Sequence, residues 1–102
     1  MLTSADPDVI RVLGDPLRLK IVTLLARETL CTTHLVEETG AKQTNLSNHM
    51  KVLREAGIVE TEPCGRFTYY KLKPEVLAGL SEQFAELAAS ARTAAENKRA
   101  CP

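Results

Sequence analysis

A chain of 102 residues has room for one small domain with a single core, and its apolar runs are too short for a membrane span. Thirteen Lys and Arg balance thirteen Asp and Glu overall, but unevenly along the chain. Residues 1–40 hold four basic against six acidic groups, residues 41–73 six against three, and residues 74–102 three against four, so the positive field sits in the middle third.

Asp6-Pro7 reads as a helix start, with a capping carboxylate and Pro at the first helical position. Val9, Ile10 and Leu13 follow on one face until Gly14. Asp15-Pro16 repeats the signal, and a second helix is expected to run to about Arg27 with Leu17, Ile21, Leu24 and Leu25 as its buried stripe. A third helix should begin near Thr32 or Thr33, either of which can cap, and stop at Gly40. A fourth follows and stops at Gly57, with Leu46, Met50 and Leu53 on its apolar face. Opposite stand Gln43, Thr44, Asn45, Ser47 and Asn48. A merely solvated helix would use Glu, Lys and Arg there, because amides and hydroxyls are poorer helix formers. Amides and hydroxyls are what read base edges and phosphates in a DNA groove.

Beyond Gly57 the period changes to two. Ile58, Glu60 and Glu62, then Phe67, Tyr69 and Lys71, alternate with their neighbours, and Pro63-Cys64-Gly65-Arg66 supplies turn chemistry. A hairpin directly behind a helix-turn-helix is a wing, and Arg66 at its tip is placed for the sugar-phosphate backbone or minor groove. Pro74 opens a last helix expected to reach about Asn97. Leu77, Leu80, Phe84, Leu87, Ala91 and Ala94 form a heptad-like seam in it, which predicts pairing with a second copy. The expected fold is therefore mainly α with a small β-hairpin, a winged helix-turn-helix that dimerises through its terminal helices. Residues 1–97 would form the domain and residues 98–102 a mobile tail. The acidic N-terminus has no apolar run behind it, which predicts no secretory signal and a cytoplasmic protein without membrane contact.

The pieces LGDPLRLKIVTLL, SNHMKVLREAGIVE and GRFTYYKL, in this order and spacing, resemble the ArsR/SmtB family of metal-sensing repressors across roughly residues 8–90. The resemblance implies a dimeric bacterial repressor that binds an inverted-repeat operator of double-stranded DNA without a cofactor and leaves it when a metal or metalloid binds. It places Gln43, Thr44, Ser47 and Asn48 in the major groove, with Lys42, His49, Lys51 and Arg66 as further DNA contacts. Gln43 and Asn48 suit adenine, whereas Ser47 and Thr44 suit phosphates. Lys42 stands where members have a capping Ser. His49 is expected to donate to a phosphate or to pack against the wing.

Arsenite- and cadmium-sensing members often carry a Leu-Cys-Val-Cys-Asp-Leu box at the start of the third helix. Here it reads Leu30-Cys31-Thr32-Thr33-His34-Leu35, with one thiol kept and His34 at the Asp position. The terminal helix offers Glu75, Glu82, Glu86 and Glu96 but no His, which disfavours the family's zinc site there. Soft ions select thiolates, and three cysteines are present, so As(III) or Sb(III) is the expected inducer, with Cys31 ranked first, then Cys101, then Cys64. Cd(II) or Zn(II) would draw on His34 as a nitrogen ligand. If Cys31 lies at the base of the wing and Cys64 at its tip, about 17–20 Å separates them. The rival readings are a thiol-redox or reactive-sulfur-sensing repressor of the same fold, and a winged-helix module that binds a protein. No constellation for enzymatic chemistry stands out.

Overall fold

The computed structural model describes residues 7–102. The expected cap at Asp6 lies outside them. Five helices and three strands follow one another as α1 (Pro7–Leu13), α2 (Pro16–Leu25), β1 (Leu30–Cys31), α3 (Thr32–Thr39), α4 (Gln43–Glu55), β2 (Val59–Cys64), β3 (Phe67–Leu72) and α5 (Pro74–Ala94). No helix among the described residues is long and apolar enough to cross a membrane.

Asp15 starts α2 as expected. Its extended backbone lets a side-chain oxygen accept from the Arg18 amide at 3.0 Å, and Pro16 follows at the first helical position. That amide, above all, holds the Asp15 carboxyl below its ordinary value of 3.8. A depressed folded-state pKa means that the carboxylate stabilises fully above 3.8 and less as pH falls through the lowered value. Asp15→Asn keeps a cap but removes the charge. The gap in urea midpoint between wild type and this variant should narrow below pH 3.8, whereas a constant gap would show that the charge is not used.

The core gathers Val9 and Val12 of α1, Ile21, Val22 and Leu25 of α2, Leu30, Leu35 of α3, Leu46, Met50 and Leu53 of α4, and Ile58 and Val59. Two expected core positions move. Val12 replaces Ile10, which is exposed, because residues 9, 12 and 13 share a face in a short helix and residue 10 lies about 100° away from residue 9. Val22 is buried, while Leu17 and Leu24 pack only partly against the core. In α3 the cap is Cys31, not Thr32 or Thr33, which occupy the first two helical positions.

Gly40 closes α3 with a left-handed φ of 73°, and Thr39 braces the turn: its hydroxyl donates to the Leu35 carbonyl and accepts from the Ala41 amide. The three residues from Gly40 to Lys42 then lead into α4, a helix-turn-helix connection.

The wing is a three-stranded antiparallel sheet of order β1-β3-β2, with one strand more than the hairpin expected. Leu30 pairs with Tyr70 and Cys31 with Tyr69, while β2 pairs with β3 from Val59↔Leu72 to Cys64↔Phe67. Pro63 and Cys64 therefore belong to a strand, and the turn is only Gly65-Arg66. Gly65 has a φ of 60°, as the first central position of a type II′ turn requires. Paired residues share a face, so Leu30, Tyr70, Leu72 and Val59 turn toward the core. Cys31, Tyr69, Glu62, Phe67, Cys64 and Lys71 share the other face, where Lys71 Nζ meets Glu62 Oε2 at 3.3 Å.

Helix α5 ends at Ala94, three residues short of expectation, and contains no buried residue. Val76, Leu77 and Leu80 pack against the core, but Phe84 and Leu87 are 49% and 61% exposed. The helix is about 32 Å long and stretches the molecule to 62 Å along its longest axis. The radius of gyration is 17.6 Å, against about 13 Å for a compact domain of this length.

Candidate nucleic-acid interface and thiol site

Helix α4 turns 100° per residue, so its buried Leu46, Met50 and Leu53 fix which side chains face away. Thr44, Ser47, Asn48 and Lys51 project opposite the core and are exposed, while Gln43 stands exposed at the helix start. Lys42 is the N-cap residue but gives no side-chain cap, so the ammonium group is left to other partners. Short amides and hydroxyls in these positions cost helix propensity of up to about 0.7 kcal/mol per residue relative to Ala. A face serving only solubility would not carry that cost. Arg66 is exposed in the wing turn.

His49 does not pack against the wing. It is half-buried on the flank of α4, with Nδ1 3.1 Å from Arg18 Nη1 and 3.9 Å from Asp15 Oδ2, so it faces the start of α2. Arg18 comes from the first turn of α2. Thirty-one positions separate it from His49, and no local pattern reveals such a contact.

The three cysteines occupy different surroundings. Cys31 is buried, whereas Cys64 and Cys101 are exposed. Cys31 ends β1 and caps α3. Its Sγ lies 3.4 Å from His34 Nδ1, and its backbone N–H donates to the same nitrogen at 3.3 Å. This is the reciprocal arm of a capping box, with His at the third helical position in place of Glu or Gln. The His34 ring meets Tyr69 edge-on at a centroid distance of 6.1 Å. Cys31, Thr33, His34, Phe67 and Tyr69 line an open cleft of about 250 Å³.

Cys64 lies two strand spacings away and two residues further along, which sets it about 12 Å from Cys31 rather than 17–20 Å. The shorter span follows from β1 lying level with Tyr69, halfway along the wing. It is still too long for a shared ion. Among the described residues no three His, Cys, Asp or Glu side chains form a ready metal cluster, so one chain brings together Cys31 and His34 but not the three thiols. The i, i+3 spacing of this pair was the legible signal for it.

Residues 15–61, from the N-cap of α2 into β2, match the model of the bacterial regulatory protein arsR family. The chain is 39% identical over 71 residues to the arsenic resistance transcriptional regulator ArsR1 of Pseudomonas putida, covering 69% of this chain and 56% of that one. It is 39% identical over 69 residues to the arsenical resistance operon repressor of Staphylococcus xylosus, covering 68% and 66%. The chain thus spans little more than half the length of ArsR1. A crystal structure described as a "possible transcriptional regulator for arsenical resistance" superposes with a TM-score of 0.72 at 31% identity, over 92% of this chain and all of the other. With a helix-turn-helix, a wing and a long terminal helix in this order, the chain belongs to the ArsR family of winged-helix bacterial regulatory proteins.

Proposed function

We propose that the protein is a metalloid-responsive transcriptional repressor. It pairs through α5, reads an inverted-repeat operator with α4 and the wing, and releases it when As(III) or Sb(III) binds cysteine thiolates. One observation carries this reading: a buried thiol, 3.4 Å from an imidazole, stands at the N-cap position of the helix that leads directly into the exposed amide-hydroxyl face of α4. The arsenic-resistance regulators among its relatives support the choice of inducer.

In the operator complex Gln43 and Asn48 contact adenine edges. Thr44, Ser47, Lys42, Lys51 and Arg66 hold phosphates, and the local excess of basic residues in residues 41–73 strengthens their hold. Cys31 supplies the first thiolate to the inducer, with His34 beside it. As(III) and Sb(III) favour further soft donors, which we assign to Cys101, seven residues beyond the end of α5, ahead of Cys64. The tail carrying Cys101 serves as its tether, from the same subunit or the second one. Cd(II) and Zn(II) accept mixed sulfur and nitrogen ligands and are the secondary inducers. Because Cys31 belongs at once to the sheet and to α3, ligation there shifts α3 against the wing and disturbs the helix pair.

The test is an operator gel shift titrated with arsenite on wild type and on each Cys→Ser variant. Cys31→Ser should hold the operator at arsenite concentrations that free the wild type. Release of Cys31→Ser at the wild-type concentration would sink the reading. Release by peroxide but not by arsenite would assign the protein to thiol-redox sensing, a reading that the imidazole beside the thiol also supports.

A further inference from the structure

Arg18 makes three directional contacts from the first turn of α2. Its backbone N–H donates to Asp15 Oδ2 at 3.0 Å, its Nε donates to the Val12 carbonyl at 2.7 Å, and its Nη1 meets His49 Nδ1 at 3.1 Å. Val12 lies near the end of α1 and His49 at the middle of α4, so one guanidinium ties three helices together. A guanidinium is always charged and can only donate. For this contact to be a hydrogen bond, His49 Nδ1 is the acceptor and the ring proton sits on Nε2.

The core stripe of Leu46, Met50 and Leu53 decides how deep α4 sits. Apolar contact is non-directional, however, and leaves the roll of the helix about its own axis weakly set. A roll of about 10° carries a side-chain tip about 5–6 Å from the axis through about 1 Å. That is enough to lose a hydrogen bond whose useful range is only about 2.7–3.2 Å. The Arg18–His49 bond acts on the flank of α4, where a directional contact has most leverage on roll.

We propose that Arg18 is a positioning residue for operator reading: acting through His49, it sets the roll of α4 and so the register of Gln43 and Asn48 against the bases. This rests on the reading of α4 as the operator-contacting helix. Arg18 does its work without touching DNA, and its charge alone is not enough. Lys has no fork with which to hold Val12 and His49 together.

The experiment compares wild type, Arg18→Lys, His49→Ala and the double variant on two probes: an operator duplex selected in vitro with the wild-type protein, and a random duplex of equal length. Circular dichroism melts confirm that each variant is folded. Arg18→Lys and His49→Ala should each lose about tenfold on the operator, the scale of one hydrogen bond to a charged group. The double variant should lose no more than either single one, and the affinity of Arg18→Lys for the random duplex should change less than twofold. Nitrogen-15 spectra of the histidines should show Nε2–H His49 in wild type and a mixed tautomer in Arg18→Lys, a change that a purely structural role does not produce. Additive losses, equal losses on both duplexes, or an Arg18→Lys protein that reads the operator like wild type would overturn the proposal. A wild-type protein that itself shows no preference for any selected duplex overturns the operator reading and this proposal with it.

Discussion

Replacing Leu87 by Glu is expected to leave the protein monomeric and to cut its affinity for the selected operator by about 10²–10⁴-fold. Leu87 is 61% exposed and Phe84, three residues before it on the same seam, is 49% exposed, on a helix that contributes no buried residue to its own domain. If the seam pairs across a two-fold axis, Leu87 packs near its own copy, and two carboxylates there repel in a desolvated place. The monomer keeps its reading helix but loses the second half-site, and with it the high effective concentration that tethering provides. Sedimentation at micromolar concentration should give twice 11.2 kDa for wild type and 11.2 kDa for the variant. A wild-type monomer would refute the dimer outright. Because the position is exposed in the single chain, the melting temperature of the isolated domain should not explain the loss.

Asn48→Ala should weaken operator binding by about 1–3 kcal/mol and random-duplex binding hardly at all. Asn48 lies almost opposite the buried stripe of α4 and is exposed, so the substitution removes no core contact. An amide in that place can accept from and donate to one adenine edge, a bidentate contact that phosphate neutralisation cannot replace. Lys51→Ala, one turn along, is the natural comparison: a phosphate contact lowers affinity on both duplexes and flattens the salt dependence. An equal loss on both probes for Asn48→Ala would reduce it to a backbone contact.

Most of the fold was legible because its punctuation is local. Asp15-Pro16, Gly40, Gly57 and Gly65 each mark a boundary through chain stereochemistry, and the structure places helix ends or the wing turn at all four. The missing strand β1 is two residues long, too short to show a period, and exists because β3 offers it a partner forty residues away. The N-cap position of Cys31 is hidden from propensity for a related reason: the two threonines beside it suit that position better on side-chain chemistry alone. At the site, the outward face of α4 followed from helical spacing. The Cys31–His34 pair needed only its i, i+3 separation, but the Arg18–His49 contact joins segments whose proximity is a product of tertiary packing.

The two-residue length of β1 has a mechanical consequence. Strand β3 is zipped to β2 along six residue pairs but to β1 along only two, so the sheet has one strong seam and one weak seam. Local opening follows the least-protected ladder first. The weak seam therefore works as a shear pin between the thiol-bearing end of α3 and the wing. Opening it leaves the β2–β3 hairpin and the Arg66 tip paired and frees only Leu30 from the core, so the ligand proposed for Cys31 would act against a local free energy rather than the stability of the whole domain.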